Sequence, residues 1–136
     1  MLNDSTCWDD AYENPALNDA DWETVSLPHT AHMEPLVVNN QWQGICWYRK
    51  TFPVSEELQG KKIFVEFEAA MNYAQVWING TAVGEHHGGY LPVVVDLTDH
   101  IRWGKPNTIA VRLNNLDNPV TGPKPLKILD FNMYGG

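Results

Sequence analysis

The clearest alternation of hydrophobic and polar positions lies just beyond the middle of the chain. Val76 and Ile78 alternate with Gln75 and Trp77, and this period of two predicts a half-buried β-strand. Asn79-Gly80 follows directly. Because both residues tolerate positive φ, the pair predicts a type I′ hairpin turn. The chain should then return as a second strand over residues 81–86.

A glycine pair extends this pattern. Gly88-Gly89 predicts a bend, after which a Val-rich strand runs over Pro92–Leu97, so the centre of the chain is predicted to be an antiparallel meander. No segment predicts a helix longer than one turn; single turns are expected at Ala16–Asp19 and within Asp99–Asn107. The same period of two predicts four more strands, over Thr24–Leu27, Ile45–Phe52, Lys61–Ala69 and Thr108–Leu113.

Seven antiparallel strands with alternating faces bury best as two stacked sheets. We therefore predict an all-β fold with no long helix, a β-sandwich of the jelly-roll type. A length of 136 residues fits one domain spanning residues 1–136. Hydrophobic residues make up 43% and charged residues 19%, which is typical of a globular protein.

Charge and hydropathy narrow the classes of partner. The net charge of −8 should repel phosphate backbones, so nucleic-acid binding is not expected. No apolar run approaches 18 residues, and no membrane span is expected. The first residues are polar from Asn3 onward and do not resemble a signal peptide. Cytoplasmic and periplasmic or secreted locations both remain open.

Two carboxylates provide the first candidate for chemistry. Glu66 and Glu68 are two residues apart on a predicted strand and so share one face. Such a pair could serve as the acid and nucleophile of a β-sandwich glycanase. A solvated outer face, opposite the apolar residues of the same strand, is the favoured interpretation. The adjacent His86 and His87 should point to opposite faces of a strand, an arrangement that does not suit a shared metal.

Aromatic residues provide the second candidate. Trp42 lies in the long polar connection 29–44, near Asn39 and Asn40, whose amides are adaptable hydrogen-bonding groups. An exposed tryptophan there could bind a glycan or another domain, whereas strand tryptophans such as Trp47 are expected to pack. Cys46, in an apolar strand, is expected to be a buried thiol; a disulfide between Cys7 and Cys46 is the alternative.

Four stretches, in this order, resemble the N-terminal sugar-binding-like domain of glycoside hydrolase family 2, most closely its β-galactosidase branch. They cover roughly residues 8–136: W-E-T-V-S-L-P-H at 22–29, G-I-C-W-Y-R-K-T-F at 44–52, A-Q-V-W-I-N-G-T-A-V-G-E-H-H-G-G-Y-L-P at 74–92, and L-D-F-N-M-Y-G-G at 129–136. The resemblance implies a galactose-binding-like jelly roll. It also implies that the chain is a fragment, cut at both ends, of a larger glycosidase.

The resemblance further implies a function for the domain. Family 2 enzymes carry their catalytic glutamates on a (β/α)8 barrel, and no βαβ pattern occurs here, so no catalytic residue is expected in this chain. The expected partners are carbohydrate and the downstream immunoglobulin-like and barrel domains. With its neighbouring strands missing, the domain is also expected to self-associate through exposed strand edges. Two alternatives stay open: a free-standing carbohydrate-binding module and a self-contained β-sandwich glycanase.

Specific site residues follow from the resemblance. Asp130 corresponds to a family aspartate that reaches the sugar site, close to the galactosyl hydroxymethyl group and a sodium ion; a carboxylate suits both roles. Asn39 and Asn40 are expected beside it, and together with Trp42 these residues form the predicted substrate-binding set. No cofactor is expected in the chain itself, whereas sodium or magnesium is expected in the full-length enzyme.

Overall fold

The computed structural model describes residues 2–3, 11–32, 42–89 and 91–116, and this part of the chain is all-β. It contains two single-turn 3-10 helices, Glu56–Leu58 and Thr98–His100. Within these residues, no helix has the length and apolar character that a membrane crossing would require. The strands are β1 (Leu2–Asn3), β2 (Ile45–Pro53), β3 (Phe64–Phe67), β4 (Tyr73–Ile78), β5 (Thr81–His87), β6 (Val93–Asp96) and β7 (Pro106–Asn114).

The strands form two antiparallel sheets, which confirms the predicted jelly-roll sandwich. The large sheet has the order β1-β2-β7-β4-β5, and the small sheet pairs β3 with β6. The predicted three-stranded meander is wrong in its last step, because β6 pairs with β3 rather than with β5. Gly88, with φ +115, lies where the chain leaves β5 and crosses to the other sheet.

The core between the sheets is built from alternate residues of the central strands. Ala74, Val76 and Ile78 of β4 are fully buried and face the small sheet. Val93 and Val95 of β6 face them from the other side. This arrangement follows from the period of two, because each strand turns every second side chain inward.

The outer face of the large sheet carries a second apolar cluster. Ile45, Trp47 and Ala110 are buried there beneath Tyr12 and Trp22, which belong to the largely polar segment over residues 11–32 that we call the lead-in. Apolar side chains therefore pack on both faces of β2, with Tyr48 and Phe52 toward the core between the sheets and Ile45 and Trp47 in the outer cluster.

Arg49 fastens the lead-in to this outer face. Its Nε donates to the Asp19 carboxylate over 2.9 Å, and a second guanidinium nitrogen donates to the Tyr12 carbonyl. The guanidinium carbon also lies 5.8 Å from the Trp22 ring centroid, within cation–π range.

Two predicted local elements are absent from the lead-in. Instead of a helical turn at Ala16–Asp19, backbone hydrogen bonds close separate turns at 11–14, 14–17 and 19–22. The amides of Asn14 and Asn18 accept bonds from nearby backbone N–H groups and so compete with helix formation. Thr24–Leu27 forms no strand: Leu27 is 75% exposed, and Pro28 provides no N–H for a ladder.

The predicted hairpin turn is confirmed and is fastened to the start of the adjacent strand β7. Asn79 and Gly80 have φ values of 53° and 84°, as a type I′ turn requires. The Asn79 amide donates to the fully buried Asn107 over 2.9 Å and to the His100 carbonyl over 2.8 Å. Its oxygen accepts from the Thr108 backbone N–H over 3.1 Å. The β4–β5 turn and the start of β7 are therefore held as one unit.

Candidate functional site

The start of β2 and the end of β7 are clasped together at one corner of the sandwich. The Gly44 backbone N–H donates to the Asn115 side-chain oxygen over 2.7 Å, and the Asn115 N–H donates back to the Gly44 carbonyl over 3.2 Å. The Asn115 amide nitrogen also donates to the Trp42 carbonyl over 3.1 Å. One asparagine thus closes three contacts across this corner, which we call the clasp.

The clasp is where two stretches of predicted site residues join the described fold. Residues 33–41, with Asn39 and Asn40, precede Trp42 directly, and residues 117–136, with Asp130, follow Leu116. Asn39, Asn40 and Asp130 themselves lie outside the described residues, and their roles stay predictions. Asn115 was missed by the sequence analysis; its only signal was an Asn-Asn pair directly after a predicted strand.

Trp42 is the one predicted substrate-binding residue that the structure describes. It is half-buried and packs against the core between the sheets. Its ring also folds over Gly44, where a Cβ atom would come within 2.5 Å of the indole. Gly44 is therefore needed for close approach rather than for its backbone angles. The Trp42 ring is therefore packed into this corner of the sandwich. A freely exposed ring, on which a sugar could stack, was the arrangement expected for a loop tryptophan.

A cavity of about 500 Å³ opens between the two sheets. Its floor is formed by Val111 and Leu113 of β7 and Tyr48 of β2. One wall is formed by the end of β3 and the residues after it, from Glu66 to Ala70, and another by the segment from Leu27 to His29. Such a volume lies within the range of ligand pockets, and the lining is mainly apolar.

A short chain of polar side chains lies at the base of this cavity. The His29 Nδ1 atom lies 3.1 Å from the Tyr48 hydroxyl, and their rings meet edge-on. Burial, followed by the neighbouring Cys46, raises the pKa of Tyr48. Burial likewise raises the pKa of the Cys46 thiol to about 11, so the thiol stays protonated near neutral pH. Cys46 is a free, buried thiol, as predicted, and Cys7 lies outside the described residues.

Glu66 and Glu68 both lie on the solvent-exposed side of the small sheet. Val65 and Phe67 alternate with them and pack against the core. Glu66 lies on β3 and Glu68 follows its last residue, and both residues line the cavity. A glycosidase pair faces its substrate from two sides of the scissile bond. This arrangement favours the solvated-face interpretation over the glycanase.

The two adjacent histidines separate onto opposite faces of β5. His87 stacks on Tyr73 of the neighbouring strand, with ring centroids 4.3 Å apart and planes 14° from parallel. The Tyr73 hydroxyl donates to Glu85 over 2.8 Å, and burial, followed by this contact, raises the pKa of Tyr73. The Gly88 bend itself is held by its backbone N–H, which donates to the Asn72 carbonyl over 2.7 Å.

Comparison with protein families identifies one match that spans most of the chain. Residues 6–123 match the family described as glycosyl hydrolases family 2, sugar binding domain. Among curated proteins, the chain is 43% identical over 108 residues to a β-glucuronidase of Formosa agariphila, covering 72% of this chain and 11% of that protein. It is 35% identical over 130 residues to a β-galactosidase of Thermoanaerobacter pseudethanolicus, covering 93% and 17%.

Solved structures give the same assignment. The chain superposes on a β-glucuronidase from glycoside hydrolase family 2 with a TM-score of 0.73 and 39% identity, covering 80% of this chain and 12% of the other. A β-glucuronidase of Bacteroides uniformis gives a TM-score of 0.77 at 31% identity, covering 83% and 13%. The chain thus spans between about a tenth and a sixth of the length of these relatives.

Proposed function

Because this chain belongs to the sugar-binding domain family of glycosyl hydrolases family 2, we propose that it is the non-catalytic N-terminal domain of a multidomain glycosidase and helps to form that enzyme's sugar pocket. The clasp is the observation that carries the proposal. Asn115 bonds to both Trp42 and Gly44, so the two stretches that hold the predicted sugar ligands start from one point on a rigid sandwich. Asn39 and Asn40 approach it from one side of the sequence, and Asp130 follows it on the other.

The proposed substrate is a β-galactoside. Asp130 is proposed to accept hydrogen bonds from the galactosyl hydroxymethyl group and to contribute an oxygen ligand to a sodium ion. In the full-length enzyme, sodium or magnesium would be held jointly with residues outside this chain.

A β-glucuronide is the second candidate, favoured by the names of several relatives. Glucuronic acid carries a carboxylate where galactose carries the hydroxymethyl group. An aspartate beside a substrate carboxylate places two like charges in contact, which costs binding energy unless a cation intervenes. Asp130 therefore favours the neutral sugar.

The proposed partners are the immunoglobulin-like domain and the (β/α)8 barrel of the same enzyme. The chain covers 11–17% of the first two relatives, so those proteins have ample length for further domains. In this proposal the barrel supplies the acid and the nucleophile, while the β-sandwich contributes binding groups at the rim of the pocket.

Kinetics on the full-length enzyme test the proposal. The Asp130→Ala variant should lower kcat/KM on a chromogenic β-galactoside by roughly tenfold to a thousandfold, as expected for losing one to three charge-assisted hydrogen bonds. The Asp21→Ala variant is the matched control, because it removes an exposed carboxylate from the same chain. Equal kinetics for both variants would contradict the proposal.

Two further assays separate the alternatives. A β-glucuronide turned over faster than the β-galactoside by the full-length enzyme would replace the proposed substrate with the second candidate. The isolated chain should hydrolyse neither. Turnover by the isolated chain that disappears in the Glu66→Gln variant would support the glycanase, and saturable sugar binding by the isolated chain would support a free-standing carbohydrate-binding module.

A further inference from the structure

Residues 33–41, which include two of the predicted sugar ligands, are flanked on both sides by residues that are tied to β2. Downstream, Trp42 leads into β2, and the Asn115 amide donates to the Trp42 carbonyl over 3.1 Å. Upstream, the His29 Nδ1 atom lies 3.1 Å from the hydroxyl of Tyr48, which belongs to β2. The chain therefore enters and leaves this segment beside the same strand.

The strand that carries both attachments is a firm base. β2 pairs with β7 in continuous register over Ile45–Pro53. Tyr48 lies four residues after Gly44, where the clasp begins, which corresponds to roughly 13 Å of extended chain. Ala31, two residues after His29, packs against the core between the sheets. The distance between the two attachments is thus set by packed structure.

The contact between His29 and Tyr48 is partly shielded from water. The two rings meet edge-on, with centroids 5.9 Å apart and planes at 76°. The Tyr48 hydroxyl also bonds to the Cys46 thiol, so it is held from both sides. Burial raises the pKa of Tyr48 above its usual value, and the hydroxyl therefore keeps its proton across the neutral range. The imidazole thus has one fixed and permanently protonated partner.

We propose that His29 is a positioning residue for sugar binding. Through its bond to Tyr48, it holds the upstream end of residues 33–41 in the place from which Asn39 and Asn40 reach the sugar. This inference rests on the proposed function, which makes these two asparagines sugar ligands. His29 itself does not touch the sugar. Its bond orders the chain before the sugar arrives, so that binding does not bear the cost of ordering it.

The expected effect falls on affinity. Losing one hydrogen bond shifts an equilibrium by roughly fivefold, and apparent affinity falls with the fraction of protein in the competent arrangement. Without the anchor, the full-length enzyme should show a KM for a chromogenic β-galactoside that is roughly three- to sixfold higher. The Ki of a non-hydrolysable thio-β-galactoside should rise by the same factor. The kcat should stay unchanged, because the bound complex regains the same arrangement.

Two substitutions at His29 separate the bond from the bulk of the side chain. An asparagine amide branches at the carbon that carries Nδ1 in histidine, so in His29→Asn it still reaches the Tyr48 hydroxyl. A glutamine amide lies one carbon further out, near the position of Nε2, so His29→Gln loses the bond. His29→Gln should therefore raise KM and Ki, and His29→Asn should leave them close to those of the unaltered enzyme. His32→Gln is the matched control, because it makes the same change at an exposed histidine in the same segment.

Tyr48→Phe removes the same bond from the other side and keeps the aromatic ring. The Tyr48→Phe/His29→Gln double variant should have the KM of either single variant, because both substitutions remove one shared interaction. A residue that only stabilises the fold would behave differently. Its loss would reduce the fraction of active enzyme, which lowers Vmax and leaves KM unchanged.

The Asp130→Ala variant keeps this inference apart from the proposed function. If Asp130→Ala lowers kcat/KM while His29→Gln leaves KM and Ki unchanged, the positioning role fails and the proposed function stands. If Asp130→Ala has no effect, the proposed function fails, and the role of His29 in sugar binding fails with it. Equal effects of His29→Asn and His29→Gln, an equal effect of His32→Gln, additivity with Tyr48→Phe, or a change in Vmax alone would also overturn the inference.

Discussion

Asn107 is expected to be the polar side chain on which the stability of the described fold depends most. It is fully buried. Its oxygen accepts bonds from the Arg102 backbone N–H over 2.8 Å and from the Asn79 amide over 2.9 Å. Its nitrogen donates to the Arg102 and Lys105 carbonyls, each over 3.0 Å. Asn107→Ala removes four hydrogen bonds and leaves their partners in a site with little access to water.

The expected cost follows from these contacts. A hydrogen bond contributes about 1 kcal/mol net, and a buried group left without its partner costs about 1–3 kcal/mol. Asn107→Ala should therefore lower the free energy of unfolding by ~3–5 kcal/mol, a large share of the stability of a small domain. Asn18→Ala is the control, because Asn18 also accepts a backbone bond but is exposed; it should cost less than ~0.5 kcal/mol.

Urea unfolding followed by tryptophan fluorescence measures both variants, since the chain has six tryptophans. The midpoint should fall at constant m value, which reports lost stability rather than a changed denatured state. A double-mutant cycle with Asn79→Gly, which keeps the positive φ and removes the amide, should give a coupling of ~0.5–3 kcal/mol. A loss below ~1 kcal/mol for Asn107→Ala, or simple additivity with Asn79→Gly, would refute the reasoning.

Three further outcomes are expected. Gly84→Ala would place a Cβ atom 3.0 Å from a Val95 methyl group and should lower the free energy of unfolding by ~1–3 kcal/mol in the same urea assay. Adding Val95→Ala to this variant should recover part of that loss. An unchanged free energy of unfolding for Gly84→Ala would contradict the close packing of β5 against β6. Hydrogen bonds from Thr98, and to a lesser extent a hydrogen bond from Lys62, lower the pKa of Asp96 from 3.8 to about 2. Its stabilising contribution is therefore present above pH ~4 and lost as the pH falls toward ~2, and Asp96→Asn should flatten the acid unfolding curve in that window. The isolated chain should self-associate in sedimentation velocity through its strand edges, with the edge of β5 as the expected contact; a strict monomer at high concentration would count against it.

The local elements were predictable because they depend on near neighbours in sequence. The alternation over Thr108–Leu113 predicted a strand, and β7 accordingly places Val111 and Leu113 in the core between the sheets. The Asn79-Gly80 turn followed from two residues that accept positive φ. The sheet to which β6 belongs depends instead on a partner about 30 positions away, which no local pattern encodes.

The outer cluster was missed for a related reason. The lead-in is polar, yet its Tyr12 and Trp22 side chains pack against Trp47. Polar groups of the lead-in bond to Arg49 or close turns within the segment. A composition-based prediction treats such a segment as loop and overlooks a few well-placed aromatic side chains. At the candidate site, Trp42 could be proposed from its residue type, whereas the role of Asn115 requires knowing that residues 71 and 73 positions apart in sequence meet.

The clasp also has a consequence for how relatives diverge. Gly44 and Asn115 join the start of β2 to the end of β7, and the bonds use only backbone atoms of Gly44 and Trp42. Sequence changes in residues 33–41 or 117–136 can therefore accumulate without removing these bonds. Under the proposed function, paired exchange of these two segments between relatives should transfer sugar preference, provided that Gly44 and Asn115 are retained.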